Sequence, residues 1–269
     1  MTNVELEGII TLLNHEHGYD FSNYSAASFK RRVARVMGLY RINSFYDLKY
    51  AITNDKKFVA QFVQAIMVNV TEMFRDPSFY KKLHDKVLPT LASYPSIKIW
   101  HAGCSTGEEA YSMAILLSEA GLLNRARIYA TDINTAAIDK ARKGIIDMRF
   151  IKEYTQNYIK SGGKTDFSSY YTARYDNAII RKELREKIVF SQHNLVADNA
   201  FNEFQLICCR NVLIYFNRTL QNHVLKLFYS SLSPLGYLAL GIKESLLFTD
   251  VKNKFEAVDN LTKIFRRQD

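Results

Sequence analysis

The sequence predicts an all-α segment followed by an α/β domain with a mostly parallel, doubly wound sheet and a small β-containing insertion. Three observations predict it. Up to about Val68, apolar residues recur at helical spacing. From about Ile97, short apolar runs alternate with amphipathic stretches, which implies βαβ units. Between Met148 and about Lys187 that alternation breaks into a stretch rich in Tyr, Lys, Ser and Gly.

The elements follow in order. Val4, Ile9, Ile10, Leu12 and Leu13 mark a first helix. A second begins at Ser25 and runs through SFKRRVARVMGLY, where Phe29, Val33, Val36 and Met37 form an apolar stripe. Lys30, Arg31, Arg32 and Arg35 crowd the rest of that helix, the densest positive cluster in the chain. Two further helices are expected near 44–53 and 55–67. IKIWHAG then reads as a strand, EEAYSMAILLSEAG as a helix, RIYATD as a strand and NTAAIDKARKG as a helix. QLICCRN, a helix near 219–232 and GYLALG complete the pattern. In the irregular stretch, SGGKTD reads as a turn and YYTARYD as a strand. The expected organisation is a helical domain over 1–68, a linker over 69–95 and an α/β domain over 96–269, with the insertion at about 150–187.

Composition narrows the function classes. The 269 residues carry 36 Lys+Arg against 27 Asp+Glu, a formal charge of +9, with 48% hydrophobic residues. This is globular composition rather than disorder, enough for one large or two modest domains. No apolar run approaches a membrane span, so no membrane insertion is expected. The N-terminus MTNVELEGIITLLNHEHGYD lacks a basic region ahead of its apolar positions, so no signal peptide is expected. Of three cysteines, Cys208 and Cys209 are neighbours, which excludes a disulfide framework and a Cys-x-x-Cys site and leaves them as small buried hydrophobes. The six histidines show no ligand spacing, and no metal is expected. A reducing, cytoplasmic setting fits. The charge favours an acidic partner, whether nucleic acid, lipid or protein.

The sharpest local signal is IKIWHAGCSTGEEAYSMAI: strand, glycine-bearing turn, then a helix whose first turn holds Glu108 and Glu109. In a doubly wound sheet this turn lies at the carboxyl edge, where ligands bind. Its G-x-x-x-G spacing differs from the G-x-G-x-x-G dinucleotide fingerprint. Two acids at a helix N-terminus also repel a pyrophosphate, although they complement the helix dipole. The implied ligand is nucleoside-like without phosphates, or cationic. S-adenosylmethionine is both. RIYATD ends on Asp132 at the same edge, where an acid can accept hydrogen bonds from both ribose hydroxyls. The alternative for Asp132 is an N-cap ahead of NTAAIDKA.

Five segments occur in a telling order: NVTEMFRD (69–76), AGCSTGEEAYS (102–112), ATDI (130–133), HNL (193–195) and CRNVLIYF (209–216). The series resembles the chemotaxis receptor methyltransferase family, CheR, over nearly the whole chain. The resemblance implies a Rossmann-like class I S-adenosylmethionine-dependent methyltransferase domain with a small inserted β-subdomain, preceded by an all-α N-terminal domain. It implies methyl transfer to glutamate side chains of chemoreceptors, giving γ-methyl esters and S-adenosyl-L-homocysteine. It implies cofactor contacts from Asn69, Thr71, Arg75, Glu109, Asp132, Asn194, Leu195, Asn211 and Val212, with Arg75 and Tyr215 as the pair near the reacting sulfonium. It implies a monomer whose helical domain faces the cytoplasmic methylation helices of receptors, which gives Lys30, Arg31, Arg32 and Arg35 a docking use. In some members the inserted subdomain tethers a receptor C-terminal peptide by strand addition. Two departures stand out. Met73 occupies a position where an aromatic is usual, a swap of similar volume, and GIKES (241–245) replaces a small or His residue before Ser-Glu-Ser.

The chemistry agrees with an absence. A glutamate with a reference pKa of about 4.3 is already ionised at neutral pH, so no general base is needed, and the chain shows no nucleophile–His–acid set. Carboxylate and sulfonium charges cancel in the transition state, so catalysis rests on in-line positioning and exclusion of water. An arginine gripping the attacking oxygen would favour the ground state. Arg75 is therefore expected to hold the cofactor and the non-attacking oxygen, and Tyr215 to offer one hydrogen bond. Rival readings are a carboxyl methyltransferase for a small acid or another protein, a nucleic-acid methyltransferase, and a cofactor-binding regulator without activity. Base-flipping amino-group methylases carry a Pro-Pro-aromatic segment where this chain has Arg210-Asn211-Val212-Leu213, so no nucleic-acid partner is expected. A regulator would be expected to lose Arg75 or Tyr215, and both are present.

Overall fold

The computed structural model describes residues 1–67 and 71–269. The chain divides into two compact units, Met1–Val68 with Leu213–His223, and Asn69–Val212 with Val224–Asp269.

The first unit is helical. Helix α1 (Asn3–His17) opens on a capping box in which Glu5 donates its N–H to Thr2 Oγ1 and the Thr2 N–H is accepted by Glu5 Oε2. It ends at Gly18 in the left-handed region, φ 73°. Its buried face is Leu6, Ile9 and Leu13, whereas Val4 is exposed. The periodicity is therefore set by Leu6 and not by Val4. Helices α2 (Ala26–Leu39), α3 (Phe45–Asn54) and α4 (Lys56–Ile66) follow the expected segments. Ser44 and Asp55 cap the last two through their side-chain oxygens. Phe29, Val33, Val36, Leu48, Ile52, Phe62 and Ile66 join the α1 residues in one core.

The second unit begins with α5 (Pro77–Lys82), a π-helical turn (Leu83–Val87) and α6 (Leu88–Leu91). The expected linker thus carries core: Phe79, Tyr80, Leu83, Val87, Leu88 and Leu91 are buried with the residues of the sheet. Then come β1 (Ile97–Ala102), α7 (Glu108–Glu119), β2 (Ala126–Asp132), α8 (Thr135–Lys143), β3 (Ile145–Asp147), α9 (Ile151–Lys160), β4 (Tyr171–Arg174), β5 (Asn177–Ile180), α10 (Lys182–Arg185), β6 (Ile188–Gln192) and β7 (Phe204–Cys209). Helix α11 (Arg218–Ser231), β8 (Leu232–Leu240), β9 (Phe255–Asp259) and β10 (Ile264–Arg267) complete the chain.

The main sheet has the order β6-β2-β1-β7-β8-β10-β9. Strands β6 to β8 are parallel neighbours, and β10 and β9 add antiparallel. The chain builds outward from β1 through β2 to β6, then crosses to β7 on the other side of β1. That reversal is a topological switch point, and a ligand crevice is expected beyond the carboxyl ends of these strands. A separate antiparallel sheet, β3-β5-β4, holds the YYTARYD strand, which turns at Tyr175. Helix α9, within the stretch read as irregular, buries Tyr154 and Tyr158 four residues apart.

Candidate active site

The site is built where β1 and β2 end. After Ala102 the chain turns through Gly103, Ser105 and Gly107, all with positive φ (80°, 52° and 95°), into α7. A Cβ on Gly103 would collide with Val212, so glycine lets the turn and the segment after β7 approach. The N–H groups of Gly103 and Cys104 both donate to the Thr131 carbonyl, at 2.8 and 2.9 Å. This stitches the turn to the end of β2.

Asp132 sits at that seam. Its Oδ2 accepts from the Ser105 N–H at 2.8 Å and its Oδ1 from the Asn134 N–H at 2.9 Å. The helix cap is Asn134, whose Oδ1 accepts from the Ala137 N–H, so the N-cap alternative for Asp132 is replaced by its neighbour. Burial pushes the Asp132 carboxyl up, against those backbone donors. The HNL segment joins the same rim. The His193 N–H donates to the Asp132 carbonyl at 3.1 Å, the Asn194 backbone N–H donates to Asp198 Oδ2, and Leu195 is buried.

The two acids of α7 have different surroundings. Glu108 accepts from Thr106 Oγ1, and burial raises its carboxyl. Glu109 meets His101 Nδ1 at 2.9 Å through Oε1 and accepts from Arg210 Nη1 at 2.8 Å through Oε2. Burial would raise this carboxyl, but Arg210 and His101 outweigh it and hold it at about 2. Both Glu109 oxygens are therefore engaged within the protein, which the sequence reading of a cofactor-facing acid did not include.

Arg210 is the hub. Its side chain is 1% exposed. Besides Glu109 it donates through Nη2 to Asp76 Oδ2 at 2.7 Å and to the Arg75 carbonyl at 3.3 Å. Its guanidinium carbon lies 3.9 Å from the Phe79 ring centroid. One buried cation thus ties the ends of β1 and β7 to the TEMFRD loop, where Phe74 and Asp76 both have positive φ. The Phe74 N–H donates to Ser112 Oγ, which itself donates to the Glu108 carbonyl. Met73 is fully buried in the same loop. Thr71 is half-buried, and Arg75 Nε lies 3.8 Å from Glu72. Asn69 lies outside the described residues.

Within GIKES the departing residues, Ile242 and Lys243, are exposed, whereas Glu244, which matches the glutamate of Ser-Glu-Ser, has a clear local role. Glu244 Oε2 accepts from the N–H groups of Asn211 and Gly241, at 3.0 and 2.6 Å, holding Asn211 at φ 62° beside Val212.

Sequence reasoning missed Arg210, Asp76 and His101. A signal was available for Arg210, because a charge that directly follows six buried residues of β7 must be paired. His101, Glu109 and Cys208 bring ligand-type atoms within 4.8 Å of one another. A cation there would have to displace Arg210 from Glu109 and ionise a thiol whose pKa burial pushes well up.

Within the helical unit, the basic cluster divides. Arg31 and Arg35 are exposed and Lys30 is half-buried. Arg32 is a correction to the docking reading, being buried at 6% exposure with its guanidinium carbon 3.8 Å from the Tyr215 ring centroid. Burial draws this guanidinium's pKa down, while the Tyr215 phenol opposes the shift.

Residues 69–264 match the SAM-binding domain of CheR methyltransferase, and residues 4–67 match its all-α domain. The chain belongs to the CheR methyltransferase family. Its cofactor class is therefore S-adenosylmethionine, and its activity class methyl transfer. Cher3 of Pseudomonas putida is 45% identical over 266 residues, covering 99% of this chain and 97% of the relative. Chemotaxis protein methyltransferase 1 of Vibrio cholerae is 31% identical over 243 residues, covering 85% of this chain and 84% of the relative. The N-methyltransferase NodS of Bradyrhizobium japonicum, solved with S-adenosyl-L-homocysteine, is 16% identical. Its TM-score is 0.34, with 62% of this chain and 63% of NodS covered. Among the described residues of this CheR-family chain, no helix is long and apolar enough to cross a membrane.

Proposed function

We propose that this CheR-family protein transfers the methyl group of S-adenosylmethionine to glutamate side chains of chemoreceptors. A carboxylate oxygen attacks the methyl carbon, the carbon–sulfur electrons return to sulfur, and a γ-methyl ester and S-adenosyl-L-homocysteine result. No proton changes hands. The observation that carries the reading is the rim at the ends of β1 and β2. It is lined by acids, and Asp132 is oriented by two backbone N–H groups over a turn without the dinucleotide glycine spacing. Such a rim suits a cationic nucleoside and repels pyrophosphate.

On this reading Asp132 takes the ribose hydroxyls. Asn69, Thr71, Asn194, Leu195, Asn211 and Val212 complete the cofactor contacts, and Glu109 joins them through the network it shares with Arg210. Arg75 holds the donor and orients the incoming carboxylate by its non-attacking oxygen. Tyr215 supplies one hydrogen bond. Lys30, Arg31 and Arg35 steer the acidic receptor helices toward a cytoplasmic, monomeric enzyme. Strand β4 supports a further tether to a receptor tail, because it is the edge of its sheet and Thr172, Ala173 and Arg174 are exposed.

The test is incubation with tritiated S-adenosylmethionine and receptor-bearing membranes. Label on receptor-sized protein, released as volatile methanol by mild alkali, is expected. Alkali-stable label would mean another acceptor atom. Arg75→Lys should lower turnover or raise a Michaelis constant; no change in either would remove Arg75 from its role.

A further inference from the structure

Arg32 is a buried charge whose surroundings do not explain it as a structural ion pair. Among the described residues no carboxylate forms an ion pair with it. Its Nη1 donates to the Ile66 carbonyl at 3.2 Å, on the last residue of α4, while Nη2 is buried with no hydrogen-bond partner among the described residues. Its guanidinium carbon lies over the face of Tyr215, 3.8 Å from the ring centroid, and the Tyr24 phenol is also close enough to act on its charge. A solvated docking residue would not be buried, and a residue that only filled core would not retain a charge there.

The segment that carries Tyr215 is sewn to the same helical unit. The Ser25 N–H donates to the Tyr215 carbonyl at 2.8 Å, the Asn217 N–H to the Asn23 carbonyl at 2.9 Å, and Tyr24 and Phe216 form a short antiparallel bridge. These bonds fix the backbone of the segment. They do not act on the Tyr215 ring itself, whose face meets the Arg32 guanidinium.

We propose that Arg32 is a positioning residue for Tyr215, its planar guanidinium stacked on the phenol face and braced by the end carbonyl of α4. The proposal deepens the function given above and rests on its reading that Tyr215 works at the reacting methyl. Arg32 touches neither donor nor acceptor, and acts by holding the Tyr215 hydroxyl in one direction. The helix that presents Arg31 and Arg35 to solvent thereby also sets the geometry of a reacting-centre side chain. A planar cation does this where an ammonium does not, since a lysine offers no flat face to a ring.

The experiment is a double-mutant cycle on the full chain with Arg32→Lys and Tyr215→Ala, following kcat, both Michaelis constants and the melting temperature. The expected result is a kcat at least tenfold lower for Arg32→Lys, with both Michaelis constants unchanged. In the Tyr215→Ala background the same substitution should change kcat less than twofold. A purely structural arginine would lower activity equally in both backgrounds, and that additivity overturns the proposal. So does a raised receptor Michaelis constant with intact kcat, which would make Arg32 a docking residue. If Tyr215→Ala itself leaves kcat intact, the reading of Tyr215 fails, and the proposal with it. If Tyr215→Ala lowers kcat while Arg32→Lys is silent, only the proposal fails. Should Arg32→Lys melt well below the wild type, Arg32→Gln, which keeps a planar donor for the Ile66 carbonyl, runs the same cycle with the same criteria.

Discussion

Replacing Glu109 with glutamine removes the anion shared by His101 and Arg210 and keeps the side chain's size. The folded carboxyl sits at about 2, against a reference of about 4.3, which corresponds to ~3 kcal/mol of native stabilisation. The folded value is the lower one, so this contribution is complete above the reference value. It is lost as pH falls toward the folded value, with about half remaining at pH 3. Breaking a buried pair while its partner stays charged costs a similar amount, about 3–5 kcal/mol. Trp100, the chain's single tryptophan, is fully buried next to His101 and reports unfolding of this unit by fluorescence. Urea unfolding of the wild type and Glu109→Gln at pH 7, 5 and 3 should show a stability gap of ~3 kcal/mol at the two higher values. The gap should shrink by ~1.5 kcal/mol between pH 5 and pH 3. A gap that stays constant with pH, or that is below ~1 kcal/mol at neutrality, refutes the claim that Arg210 and His101 hold this carboxylate charged.

Three further outcomes follow from the same geometry. Asp132→Ala removes the acceptor expected to take the ribose hydroxyls, and calorimetry should show S-adenosylmethionine binding weakened about 10–100-fold, the worth of hydrogen bonds to a charged group. Gly103→Ala places a methyl against Val212 at a φ of 80°; it should lower stability by about 1–3 kcal/mol in urea unfolding. Reversing Arg31 and Arg35 to Glu should raise the receptor Michaelis constant about tenfold at low salt and flatten its salt dependence, with cofactor affinity unchanged by calorimetry.

Much of the architecture is legible along the chain because local and global preferences agree. Phe29, Val33 and Val36 mark α2. The IKIWHAG and RIYATD strands end where their apolar runs end, and Asp132 lies at the rim that the pattern implies. What the sequence conceals depends on distant partners. Strands β9 and β10 are short and carry charges, and they become strands by pairing antiparallel with β8 and each other. Helix α9 hides because Tyr154 and Tyr158, its buried face, sit in a Lys-rich stretch that reads as polar. Arg32 and Arg210 look alike in one dimension, as basic residues beside apolar runs. Only tertiary packing makes one the cover of an aromatic ring and the other the centre of a buried ion network.

The central claim is that the acid-lined rim at the ends of β1 and β2 seats a cationic, phosphate-free methyl donor. Titration calorimetry of the intact chain tests it most directly. S-adenosylmethionine and S-adenosyl-L-homocysteine should each bind at one site and displace one another, and neither ATP nor NAD should compete. Saturable binding of a pyrophosphate nucleotide that excludes S-adenosylmethionine would contradict the account.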